Sequence, residues 1–227
     1  MNTSLNTPVD PTDRKLAGAF ALCGLASLVL LASHPASAAH DFAGVLREEA
    51  GNQFMDGVVH GGFIFVLAAL LVCFRLLARR LGSGRVPVIV MLVTFGIGCA
   101  ALMASMLVDG LVIPAVAARY VNIDAPDKLA AAKALFVFAG TLITFLMPLG
   151  IAFQSIAMLS LGGLLVAGPP RRGAAGIFGV GCGVLILAAL AGAPAGIAAH
   201  LLLGSIALIA VWYFVLAVLL WRGGLAA

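Results

Sequence analysis

The segment FMDGVVHGGF, from Phe54 to Phe63, places an aspartate and a histidine four residues apart at the mouth of a long apolar run. On a helix, Asp56 and His60 face the same way. An imidazole can ligate a transition metal, carry a proton near neutral pH or serve as an axial haem ligand. A neighbouring carboxylate can complete or orient such a ligand set. His34, His40, His200 and Asp109 are the other groups of this kind. Asp109 is the sharpest of them. It stands between Val108 and Gly110 in an otherwise apolar stretch, where an acid must be paired or face water. Arg119 or a histidine is its expected partner.

What positions these groups follows from composition. Of 227 residues, 63% are hydrophobic and only 10% charged, whereas charged residues make up about a quarter of a soluble domain. Several apolar runs reach the roughly 20 residues needed to cross about 30 Å of hydrocarbon as helix. They are too long and unbroken for barrel strands of about 10 alternating residues. The chain reads as an all-α integral membrane protein with six transmembrane helices, spanning about 16–32, 57–78, 86–108, 134–160, 174–192 and 197–220. Residues 1–15 read as a disordered N-terminal segment before a single membrane domain, 16–222. The small-residue sequence ASA before Ala39 has the form of a signal-peptidase site; retention of the first helix is the preferred expectation, because later helices can insert unaided.

Charge orients the bundle. Arg14, Lys15, Arg75, Arg79, Arg80, Arg85, Arg171, Arg172 and Arg222 fall at one end of a six-helix arrangement. The other end receives most of the acids, with Arg47, Arg119, Lys128 and Lys133. By the positive-inside rule both termini are cytoplasmic, and a bacterial-type inner membrane is the expected location. The net charge of +4 suits anionic lipid headgroups rather than nucleic acid, because the basic residues sit at helix ends. Asp109 falls near the outer interface, and the residues after it, through Pro114, project beyond the hydrocarbon or lie along its surface. The run from about Leu129 to Val166 is too long for one straight crossing. Pro148 is expected to kink it, and its early residues to pack as an outer extension against the end of the third helix.

Topology then groups the polar residues. His34 and His40 lie in the first outer loop, His60 begins the second span, His200 the sixth, and Asp109 ends the third. They form one outward-facing layer. That layer suits a transition metal on His60, His200, Asp109 and Asp56, a haem with His60 and His200 as axial ligands, or proton handling by Asp109 and a histidine. The plainer alternative is that each histidine caps a helix or bonds a loop carbonyl. Gln154, mid-run in the fourth span, is expected to bond across helices. The methionines read as core filling and the four cysteines, none in a CxxC pair, as small buried residues. HExxH, GxSxG, P-loop and haem-attachment motifs are all missing, and GIFGVGCG lies inside a span, which excludes a dinucleotide site by context.

The expected function is an accessory or small-ligand-binding membrane protein with an outward His/Asp site for a metal or haem. A membrane enzyme acting on a lipid or quinone, a structural subunit of a homo-oligomer or larger complex, and a small transporter are the alternatives.

Overall fold

The computed structural model describes residues 10–35, 39–123, 125–193 and 199–223. Helices α1 (Pro11–Ala32), α2 (Phe42–Leu81), α3 (Val86–Leu107), α4 (Ile113–Tyr120), α5 (Pro126–Val166), α6 (Pro170–Gly192) and α7 (Ala199–Trp221) follow in order, with a π-helical turn, Val108–Val112, joining α3 to α4. Six helical stretches are long and apolar enough to cross a membrane, counting α3 through α4 as one. No strand occurs among the described residues. Six spans and an all-helical architecture are therefore as the hydropathy pattern predicts.

The helices outrun the spans. With 40 and 41 residues, α2 and α5 are about 60 Å long at 1.5 Å per residue, twice the hydrocarbon thickness. Most of the expected first outer loop is thus the opening of α2, whose Asp41 caps the helix by accepting the Gly44 amide at 2.6 Å. The early turns of α5 lie against the π turn and α4, with Leu135, Phe136 and Leu142 facing Val108, Val112 and Val116. Pro148 sits inside α5, which continues as helix on both sides. At the amino end α1 already begins at Pro11, so the last residues of the segment expected to be loose form its first turn; residues 1–9 lie outside the described residues. The ASA site also falls outside them.

Lipid tails offer no hydrophobic drive between spans, so the bundle depends on close backbone approach. A methyl group on Gly98 of α3 would stand 2.8 Å from the Gly150 carbonyl oxygen, and one on Gly150 of α5 2.9 Å from that of Gly98. Gly162 of α5 and Gly176 of α6 meet in the same reciprocal way, at 2.8 and 2.6 Å. The GxxxG pair is used inside the bundle: Gly179 seats the Trp212 ring of α7 and Gly183 lies on the Ser155 carbonyl of α5. Gln154 bonds across helices as expected, its amide donating to Cys99 Sγ at 3.7 Å.

The arginine-bearing helix ends gather together. Arg80 of α2 grips Asp10 and the buried Asp13 of α1, the latter at 2.8 Å. The Arg14 guanidinium lies 5.8 Å from the Trp221 ring centre at the end of α7. The Ser160 hydroxyl near the end of α5 donates to the Pro87 carbonyl at the start of α3, at 2.8 Å.

Two outcomes follow from this packing. Gly98→Ala is expected to cost about 1–3 kcal/mol through overpacking, while Gly96→Ala, where a methyl group meets open space, leaves thermal melting in detergent unchanged. At the other end, the Thr12 amide and then the Arg80 guanidinium hold the Asp10 carboxyl below its ordinary value of 3.8. A depressed carboxyl stabilises the fold above its unfolded value and loses that effect as pH falls through the folded one. Asp10→Asn should therefore lower the melting temperature at pH 6 and have no effect well below pH 3.8.

Candidate metal centre

Three chain segments converge midway along α2, at His60. His34 is placed by the end of α1: its own amide still bonds the Leu31 carbonyl, and Pro35 then turns the chain out of helix. His60 lies on α2. Asp109 lies on the π turn, and Pro114 explains why that turn forms here. Proline has no amide to offer and clashes with the carbonyl four residues back, that of Gly110. The chain widens instead, and the Ile113 amide bonds the Val108 carbonyl five residues earlier. Such wide turns re-aim side chains and recur at functional sites.

The π turn also presses its backbone onto His60. A methyl group on Gly110 would lie 2.2 Å from His60 Cβ and 2.4 Å from Cγ. Only glycine fits. Below, Gly62 takes Leu30 of α1 against its bare backbone, whereas Gly61 faces open space.

One ligand atom from each of His34, His60 and Asp109 lies within 4.8 Å of the others. His34 is exposed, Asp109 half-buried and His60 buried, so the group opens on the His34 side. The two rings meet edge to face, centres 5.0 Å apart. Both imidazoles use Nδ1 in the same way. His60 Nδ1 lies 2.9 Å from the Asp56 carbonyl oxygen, and His34 Nδ1 lies 2.8 Å from the Pro35 carbonyl oxygen. A carbonyl can only accept, so in each ring Nδ1 carries the hydrogen and donates it. The lone pair of each neutral ring then resides on Nε2.

For His60 this creates a conflict. Its Nε2 faces Asp109 Oδ2 at 3.2 Å, and a lone pair and a carboxylate oxygen repel each other. The contact is stable only with a positive charge on it, either a further proton or a metal ion. Two ligands each about 2.0–2.1 Å from one ion, at tetrahedral to right angles, stand about 2.9–3.4 Å apart. The observed separation lies in that interval. A ligating histidine whose other nitrogen donates to a carbonyl is also the usual outer-shell pattern of metal sites.

Two further acids stand near the site. Glu49, Asp56 and His60 are spaced seven and four residues apart along one face of α2, and both acids interact electrostatically with Asp109 and His60. Inward, the site is closed. Val59, Phe63 and Met106 form a buried apolar cluster beneath His60, and below it lies a cavity of about 30 Å³ whose lining includes Ser27, Gln154 and Tyr213.

Set against the sequence, the structure brings together His34, His60 and Asp109, and it makes a histidine rather than the exposed Arg119 the partner of Asp109. His200 is exposed at the start of α7 and His40 at the start of α2, and neither joins the group. His60 Nε2 faces Asp109 rather than His200. Asp56 enters through its backbone carbonyl, its carboxyl being outside the ligand group. Sequence reasoning missed Gly110, Glu49 and the π turn. The Gly110-to-Pro114 spacing and the heptad from Glu49 to Asp56 are the signals that point to them.

Gly110→Ala should displace the His60 ring and abolish any ligand signal of this group, while Gly57→Ala, whose methyl group meets only Leu111 at 3.8 Å, should not. Titration of both purified variants with cobalt(II), read by visible absorption, checks this. No protein-family model, no curated protein and no solved structure is similar to this chain.

Proposed function

We propose that this is a metal-binding protein of a bacterial-type inner membrane, holding one divalent first-row transition ion between His34, His60 and Asp109 at the outward end of the bundle. Both termini lie on the cytoplasmic side in this reading, because the arginine-rich helix ends gather opposite the site. The observation that carries the proposal is the shared tautomer of the two histidines, together with the His60–Asp109 contact. Each gives its Nδ1 hydrogen to a backbone carbonyl, and the remaining His60 nitrogen is set against a carboxylate oxygen at a spacing that one ion would bridge.

Two imidazoles and one carboxylate suit zinc, cobalt, nickel or ferrous iron better than magnesium or calcium, which prefer all-oxygen sites. Three protein ligands leave a coordination position for water or a substrate. That open position favours a second reading, a membrane enzyme in which the ion activates water or polarises a substrate presented at the outer leaflet. The apolar cluster of Val59, Phe63 and Met106 argues against passage of an ion onward through the bundle, since a bare cation gains nothing there for its lost hydration.

The test is metal content by elemental analysis and zinc affinity by competition, on full-length protein in mild detergent. One ion per chain is expected. His60→Ala, Asp109→Asn and His34→Ala should each weaken binding by more than the roughly 10–100-fold typical of losing an outer-shell partner. His200→Ala and His40→Ala should leave it intact. Metal-free protein with unchanged zinc affinity in His60→Ala would overturn the assignment.

A further inference from the structure

At the arginine-bearing end, α7 presents a lipid-facing ridge with an apolar groove on either side. One groove, about 570 Å³, runs between α6 and α7 past Phe178, Val211 and Val215. The other, about 370 Å³, runs between α1 and α7 over Ala17, Gly18 and Ala21. Both are bounded by Phe214, Val218 and Arg222 of the ridge itself. They therefore diverge from one cationic side chain.

A second cation stands beside it. Trp221 lines the α1 groove next to Arg222, and the Arg14 guanidinium lies over the Trp221 ring. Among the described residues neither arginine is paired with a carboxylate, in contrast to Arg80, which holds Asp10 and Asp13. Trp221 is 59% exposed, as suits an indole at headgroup level. We infer that this end of α7 is a binding site for one anionic diacyl phospholipid, with its phosphate between Arg14 and Arg222 and one acyl chain in each groove.

The chemistry of the occupant follows from these parts. Guanidinium groups match phosphate oxygens bidentately and are less strongly hydrated than ammonium groups. Basic pockets between helices on the cytoplasmic side are where acidic headgroups are recognised. A zwitterionic headgroup would bring its own cation toward two arginines and lose that advantage. A single-chain lipid would fill one groove and leave the other to bulk lipid. The site needs both a net negative headgroup and two chains, and it is independent of the metal centre at the other end of the bundle.

The experiment uses delipidated full-length protein in a non-ionic detergent, with lipid binding read by native mass spectrometry and by the shift in melting temperature. The probes are phosphatidylglycerol, phosphatidylcholine, lysophosphatidylglycerol and glycerol phosphate. Phosphatidylglycerol should bind about 25-fold more tightly than phosphatidylcholine and more tightly than its single-chain form. Arg222→Gln should reduce that preference about five-fold, and the double variant with Arg14→Gln about 25-fold, from the roughly 1 kcal/mol each basic residue contributes near an anionic surface. Gly18→Phe should fill the α1 groove without a backbone clash, since a methyl group there meets nothing within 4 Å. It should bring phosphatidylglycerol down to the affinity of its single-chain form and leave that form unaffected. Equal binding of the two diacyl lipids, a preference undiminished in Arg222→Gln, or competition by glycerol phosphate as effective as that by the lipid would overturn the proposal. Should the double variant not fold, Arg222→Gln and Gly18→Phe decide it alone.

Discussion

The polar cluster of this molecule depends on the contact between Gly110 and His60. A histidine buried in a helix bundle is tolerable only if both ring nitrogens are provided for. Here one is provided for locally, by the carbonyl one turn back on α2, and the other must be reached from a different helix. Bare backbone at Gly110 lets the π turn come close enough for Asp109 to meet it. A regular α-helix through the same residues would turn Asp109 about the axis and away from His60. The wide turn is thus the device that converts an isolated acid in an apolar run into a partner.

The depth at which this happens is set elsewhere. Gly98 against Gly150 fixes the height of α3 on α5, and Gly162 against Gly176 fixes α5 on α6. These crossings bring backbone against backbone, with Leu102, Gln154 and Val180 packed tightly alongside, so they transmit position stiffly. The apolar cluster of Val59, Phe63 and Met106 then separates the polar outer layer from the bundle interior. Polar chemistry in the hydrocarbon region below is sparse: Gln154 donates weakly to Cys99, while the buried Ser105 hydroxyl and Trp212 indole nitrogen have no partner among the described residues.

The span count and the clustering of charged helix ends were legible because hydropathy and charge act over about 20 residues at a time and do not need neighbours to be known. Placing His60 and Asp109 in one layer was legible for the same reason, since depth follows from counting residues. Lateral placement was not. His200 and His34 are equivalent by depth, and nothing in the order of residues tells which stands beside His60 when α1 packs on α2 and on α7. The part Asp56 plays was not legible for a different reason: sharing a face with His60 concerns side chains, whereas its bond to that ring is made by a backbone atom. The helical start of α2 was also missed, because a polar run such as REEAGNQ reads equally as loop or as helix outside a membrane.

The three groups of the outer cluster lie at positions 34, 60 and 109, and none comes from α5, α6 or α7. In a chain that enters the membrane from its amino end, every donor is delivered with the first three spans. The constellation can close while the later helices are still being made, and an ion captured at that stage would tie α1, α2 and α3 into one unit before α5 arrives. The glycine surfaces of α5 would then meet a preassembled partner rather than loose helices, which lowers the number of wrong pairings open to them.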